Sequence, residues 1–236
     1  MTKYYYKTSL LDRRSYIRIL SLLTSTLGVI IFLYVAFPLL SWQLYFAPAF
    51  SQQKIEIPIP KSVYGGSGNV GSLLSNAAGS LTVDYTNARN WYPSLNFEGF
   101  NNLNYSISIP KINIDSAKVS SADYDLTRHM VQFNKDTAPG KVGNTIIFGH
   151  STLPQLFNPN DYKTILANAY KIGVGDEIIV TLEGQKYTYK VQTVTVVEPN
   201  DTSVLAQDLS DSFITLITCT PPGTVWKRLI IKAKLT

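Results

Sequence analysis

From Ile19 to Leu40 the chain carries no charged residue, and Leu, Ile, Val, Phe and Ala dominate. A helix over that run rises about 33 Å, enough to cross the hydrocarbon layer of a bilayer. The uncharged stretch continues to Gln53 and brings Trp42, Tyr45 and Phe46, aromatic types that settle at a membrane interface. Ahead of it stand Lys3, Lys7, Arg13, Arg14 and Arg18 against the single Asp12, so the positive-inside tendency keeps the N-terminus cytoplasmic and sends everything after residue 47 outside. The competing reading is a cleaved leader, for which Ala47-Pro48-Ala49 is a superficial cleavage site. The apolar run is too long for that, and a proline sits in the middle of the site.

Beyond the anchor, 236 residues leave room for one ordinary domain and a tether, and 45% hydrophobic residues can build a core. The net charge is +5, but outside the N-terminal cluster the basic residues are scattered, which excludes a nucleic-acid-binding stripe. Between about Pro48 and Asn104 the composition is that of a spacer, with Pro58-Ile59-Pro60 and Gly65-Gly66-Ser67-Gly68. Within it a short strand is possible at Ile55 to Ile59, and the aromatic-bearing stretch Trp91 to Phe100 is suited to pack on the domain. The expected layout is a cytoplasmic basic tail over 1–18, a transmembrane helix over 19–42, an extracytoplasmic linker over 43–103 and a catalytic domain over 104–236.

From Tyr105 onward the pattern is that of strands. Ile107, Ile109, Ile112 and Ile114 fall near period two around Pro110, and Asn144 to Phe148 is a β-branched run that closes on Gly149. Further strands are expected at Glu177 to Leu182, Lys186 to Thr195, Phe213 to Thr218 and Arg228 to Leu235. One helix is expected over Asp161 to Tyr170, where Tyr162, Ile165, Leu166 and Ala169 share a face and Gly173 is a stop. Many short strands with one helix predict a closed or nearly closed β-barrel.

Cys219 is the sole cysteine, so no intramolecular disulfide forms. A lone exported thiol is either an inert small hydrophobe or a nucleophile. If it attacks, it needs a proton acceptor, and the chain offers only His129 and His150. His150 ends a strand, as Cys219 does, and two strand ends can meet on one rim. After the turn Pro221-Pro222-Gly223 the chain returns to Arg228, whose guanidinium can face the thiol. It stays charged, so it stabilises a thiolate or oxyanion and cannot act as base.

These residues sit in segments that resemble the sortase family. Thr215-Leu216-Ile217-Thr218-Cys219 matches the Thr-Leu-x-Thr-Cys signature, Arg228-Leu229-Ile230-Ile231 resembles the Arg-opened strand that follows it, and Asn144 to Ser151 resembles the segment bearing the catalytic histidine. Similarity runs from about Tyr105 to Leu235. The resemblance implies a closed eight-stranded barrel with one or two short helices, and catalytic Cys219, His150 and Arg228. It also implies a substrate-binding Thr218, cleavage of a Leu-Pro-x-Thr-Gly-like sorting signal, and transfer from a Cys219 thioester to an amine of a peptidoglycan precursor or a pilin. No metal or organic cofactor is required. The short Thr220-Pro221-Pro222-Gly223-Thr224 connection looks like class D and class E enzymes. Many members carry a second histidine where this chain has Gln132 or Phe133, so no role passes to His129. Two further outcomes stay open: a non-catalytic module that binds sorting signals, and a thiol hydrolase that releases the substrate.

Overall fold

A computed structural model describes residues 13–41, 83–93, 102–134 and 137–236, which fall in two compact units divided at Pro48. The possible strand at Ile55 to Ile59, the interfacial Trp42, Tyr45 and Phe46, and the glycine-rich run at 65–68 lie outside the described residues.

The first unit holds one helix, α1 (Arg13–Ser41). Every side chain described from Tyr16 to Tyr34 is exposed, apolar ones on all sides of the helix included. An apolar surface all the way round is suited to lipid rather than to a one-sided protein contact. The stretch Tyr16–Tyr34 is long and apolar enough to span a bilayer, compatible with a single-pass anchor.

The second unit contains eight strands: β1 (Asn104–Ile109), β2 (Ile114–Ser120), β3 (Met130–Gln132), β4 (Gly143–Phe148), β5 (Glu177–Leu182), β6 (Gln185–Val197), β7 (Ser212–Thr220) and β8 (Lys227–Leu235). They close a barrel in the order β1-β2-β3-β4-β7-β8-β6-β5, with β5 pairing back to β1. Most neighbours are antiparallel, but β2 with β3 and β4 with β7 are parallel. The β4–β7 pair matters most, because parallel neighbours end on the same rim. The interior is aliphatic: Ile107, Ile109, Val119, Ile178, Val180, Ile214, Leu216 and Ile231 are all essentially inaccessible. Burying each such side chain contributes roughly 1.5–3 kcal/mol.

The barrel and its strand periodicities agree with the sequence reading. The expected helix over Asp161 to Tyr170 does not form; the stretch is a run of turns ending in one 3₁₀ turn, Ala169–Lys171. Its polar side chains capture the backbone first. Thr164 Oγ1 accepts from Asn158 N at 2.9 Å, Asp161 Oδ1 accepts from Lys163 N, and Leu166 N donates to His150 O at 2.9 Å instead of to the carbonyl a helical turn back. Such local bonds compete with helix formation. The apolar face is still used, since Ile165, Leu166 and Ala169 join the barrel core.

A second buried cluster lies on the outer face of β4, β7 and β8. Alternation along β7 sends Ile214 and Leu216 inward and Ile217 and Cys219 outward. There they meet Phe148, Ile146 and Ile230, together with Ala88, Trp91 and Tyr92 from residues 83–93. That segment, within the stretch expected as linker, is fastened to the barrel: Ala88 N donates to Tyr124 O and Leu126 N to Thr86 O, each at 2.9 Å.

Candidate active site

The turn between β7 and β8 determines what faces the thiol. In the antiparallel register Cys219 lies directly opposite Arg228, so the two side chains emerge on the same face. Arg228 Nη1 reaches Cys219 Sγ at 3.5 Å and donates to Val225 O at 3.1 Å. Both residues are nearly buried, Cys219 4% and Arg228 1% exposed. Burial pushes the Cys219 thiol above its usual 9.0, and Arg228 offsets part of that rise by favouring the thiolate.

His150 follows the end of β4, beside the end of β7. The parallel register runs to Phe148 opposite Ile217 and is extended by Gly149 N, which donates to Ile217 O at 3.1 Å. Two side-chain bonds then tie the flanks of His150 to β7: Thr218 Oγ1 donates to Gly149 O at 2.7 Å, and Ser151 Oγ donates to Cys219 O at 2.6 Å. His150 is therefore anchored on both sides to the two residues that end in the thiol. Gly149 permits this, because a Cβ there would come within 2.7 Å of Leu166 Cδ1. The imidazole Nε2 is buried without a protein partner, and burial lowers the His150 pKa from 6.5, with Asp84 the main opposing charge. At neutral pH the resting site thus holds a thiol, a neutral imidazole and a guanidinium.

Trp91 joins these groups. Its ring lies 6.1 Å from the His150 ring in an edge arrangement, 5.4 Å from Phe148 and 5.0 Å from Arg228 Cζ. Tyr92 is buried alongside, and that burial pushes its phenol up to about 12, so it stays protonated and able to donate. An aromatic cavity of about 620 Å³ opens beside Arg228, lined by Tyr85, Trp91, Tyr92 and Pro199 among others.

The structure thus brings Cys219, His150 and Arg228 to one rim. It buries Thr218 with its hydroxyl engaged on Gly149. His129 is engaged in contacts of its own: Nε2 is 3.0 Å from Asp123 Oδ1 and Nδ1 is 2.9 Å from Met130 O, a clasp at the start of β3. The stretch expected to pack on the domain does bury Trp91 and Tyr92 against it, but the sequence reading gave no site role to them, to Tyr85 or to Ser151. A tryptophan in an otherwise polar spacer was the available signal for the first three.

A single thiol beside an arginine, at the mouth of a closed barrel with a histidine on the adjoining strand end, supplies the groups that cysteine-based acyl transfer requires. The Sortase domain profile matches residues 107–236, and the chain belongs to the sortase family. It is 26% identical to Sortase D of Bacillus subtilis (strain 168) over 132 residues, covering 54% of this chain and 61% of that protein. The match thus spans less than two thirds of that relative, and it agrees with the class D-like connection after Cys219. Among solved structures, a Clostridium perfringens Sortase D5 transpeptidase is 26% identical with a TM-score of 0.48, covering 69% of this chain and 94% of its own. A Corynebacterium diphtheriae Sortase A lid mutant is 28% identical with a TM-score of 0.49, covering 63% and 76%.

Proposed function

We propose that this chain is a membrane-anchored sortase, a cysteine transpeptidase that cleaves Leu-Pro-x-Thr-Gly-like sorting signals and joins the product to an amine of the cell wall or a pilin. In this reading residues 1–18 are a cytoplasmic tail, 19–42 the membrane span, 43–103 an extracytoplasmic linker and 104–236 the catalytic domain. The observation that carries it is the β7–β8 register that sets Arg228 against Cys219, with His150 pinned to the same strand end.

The chemistry follows from the protonation states. Cys219 Sγ attacks the threonine carbonyl as its proton passes to His150, which burial keeps neutral and therefore free to accept. The carbonyl oxygen becomes an oxyanion facing Arg228, a charge held in place before the reaction begins. The C–N bond then breaks, and His150 returns the proton to the departing glycine amine, leaving a thioester on Cys219. An incoming amine loses a proton to His150 and attacks the thioester, and the thiolate leaves towards Arg228. Thr218, with its hydroxyl donated to Gly149, serves the substrate by fixing the strand end that presents the thiol. Water in place of the amine gives hydrolysis at the same site.

The test is mass spectrometry of the full chain with a library of sorting-signal peptides, with and without triglycine. The wild type is expected to form a thioester adduct and amine-dependent products, and Cys219→Ala neither, a loss of roughly 10³-fold or more. Undiminished turnover by Cys219→Ala would refute the assignment. Peptide binding with no thioester in the wild type would mark a non-catalytic module.

A further inference from the structure

Arg228 presents an unusual balance. It is almost wholly buried, yet among the described residues no carboxylate stands within ion-pair distance of it. Its Nη1 is engaged by Cys219 Sγ and by the carbonyls of Val225 and Lys227, while Nε has no polar partner. A charge taken out of water without a counter-ion needs another source of compensation. Two aromatic faces supply part of it: Arg228 Cζ lies 5.0 Å from the Trp91 ring centre and 5.8 Å from that of Tyr85.

These rings are fixed to each other and to the barrel. Trp91 Nε1 donates to Tyr85 O at 2.9 Å, and the segment is fastened on either side by the Ala88–Tyr124 and Leu126–Thr86 backbone bonds. All of it precedes residue 107, where the matched domain begins.

We infer that Trp91 and Tyr85 are positioning residues, which hold the Arg228 guanidinium against their ring faces and so keep it aimed at Cys219 during acyl transfer. The inference rests on the functional reading above. The choice of rings has a chemical reason. A carboxylate would orient the guanidinium equally well but would cancel much of its charge. An aromatic face orients it and leaves its full positive charge for the thiolate and the oxyanion.

The experiment uses the full chain in detergent micelles. Turnover is read with an internally quenched Leu-Pro-x-Thr-Gly peptide and triglycine, and the Arg228 side-chain resonances are read by NMR, assigned by their loss in Arg228→Lys. Trp91→Leu fills the space without a ring face, Trp91→Phe keeps a face, and Tyr85→Leu makes the same change at a half-buried position. Expected are ring-current-shifted Arg228 resonances in the wild type that relax in both Leu variants. With them goes a kcat lowered roughly tenfold to a hundredfold in Trp91→Leu at little-changed KM, with most of it regained in Trp91→Phe. Tyr85→Leu follows in the same direction, which covers the case of a Trp91 variant that folds poorly. Wild-type kcat in the folded Leu variants, or a rise above it, overturns the inference, a rise marking the segment as a cover over the site. Unshifted Arg228 resonances overturn it too. Shifted resonances in a wild type that turns over no peptide overturn the functional reading, and with it the catalytic use of the rings, while leaving their hold on Arg228 standing.

Discussion

The two buried clusters of the barrel domain differ in kind. Inside the barrel, the core is built mainly from Ile, Val, Leu and Ala; of its two buried tyrosines, Tyr189 has its hydroxyl satisfied by Gly140 N and Ser212, while the Tyr105 hydroxyl has no protein partner. Outside, between β4, β7, β8 and residues 83–93, the cluster is aromatic. Around it four buried polar atoms have no protein partner: Tyr92 Oη, His150 Nε2, Thr220 Oγ1 and Arg228 Nε. Each unmade hydrogen bond of this sort costs about 1–3 kcal/mol. The unpartnered polar and charged groups are thus more numerous around the outer cluster, the pattern in which functional sites depart from the most stable packing.

That division can be broken or sharpened by substitution. The largest effect is expected from Arg228→Met, which removes the buried charge and keeps an apolar side chain. Peptide turnover should fall roughly 10²–10³-fold, while the thermal midpoint stays level or rises, because a buried charge without a carboxylate partner contributes little to stability. A turnover change under twofold, or a collapse of the fold, would show that the outer cluster serves stability like the inner one.

Next in size is the reciprocal change, Ile107→Ala, deep in the barrel and away from the rim. Denaturant unfolding should register a loss of about 2–5 kcal/mol, with kcat/KM of the folded fraction preserved to within roughly twofold. A large kinetic defect without destabilisation would contradict the separation.

The smallest effect is in pH dependence, and its signs follow from the outer cluster alone. His150 has its pKa lowered, so below the ordinary 6.5 the unfolded chain takes up a proton that the folded chain refuses. Its contribution is complete above that value and is lost as pH falls through it towards the folded pKa. Cys219 has its pKa raised, so above 9.0 the unfolded chain releases a proton that the folded chain keeps, and stability declines as pH rises from there. Stability of the wild type against that of a His150→Phe variant isolates the acid limb, which should flatten in the variant.

Much of this was legible in the sequence, and the exceptions have physical causes. Strands such as Asn144 to Phe148 and Phe213 to Thr218 announce themselves because β-branched residues repeat over a full strand length. Met130–Gln132 does not, since three residues hold no period. The helix expected over Asp161 to Tyr170 has the right apolar spacing, but the carbonyl of His150, which claims Leu166 N, is distant in sequence and invisible to any local pattern. Cys219 and Arg228 were readable as a pair because one turn joins them. Trp91 and Tyr85 were not, because their meeting with Arg228 depends on docking across more than a hundred residues of chain.

The position of β8 between β7 and β6 bears on the order in which the protein becomes competent. The strand that completes the cylinder is also the one that carries Arg228, and its pairing partners precede it by one short turn on one side and a long stretch on the other. A chain that has not yet delivered this strand has an open sheet and a solitary thiol. Ring closure and the pairing of Arg228 with Cys219 therefore coincide, and a half-assembled molecule lacks that pair.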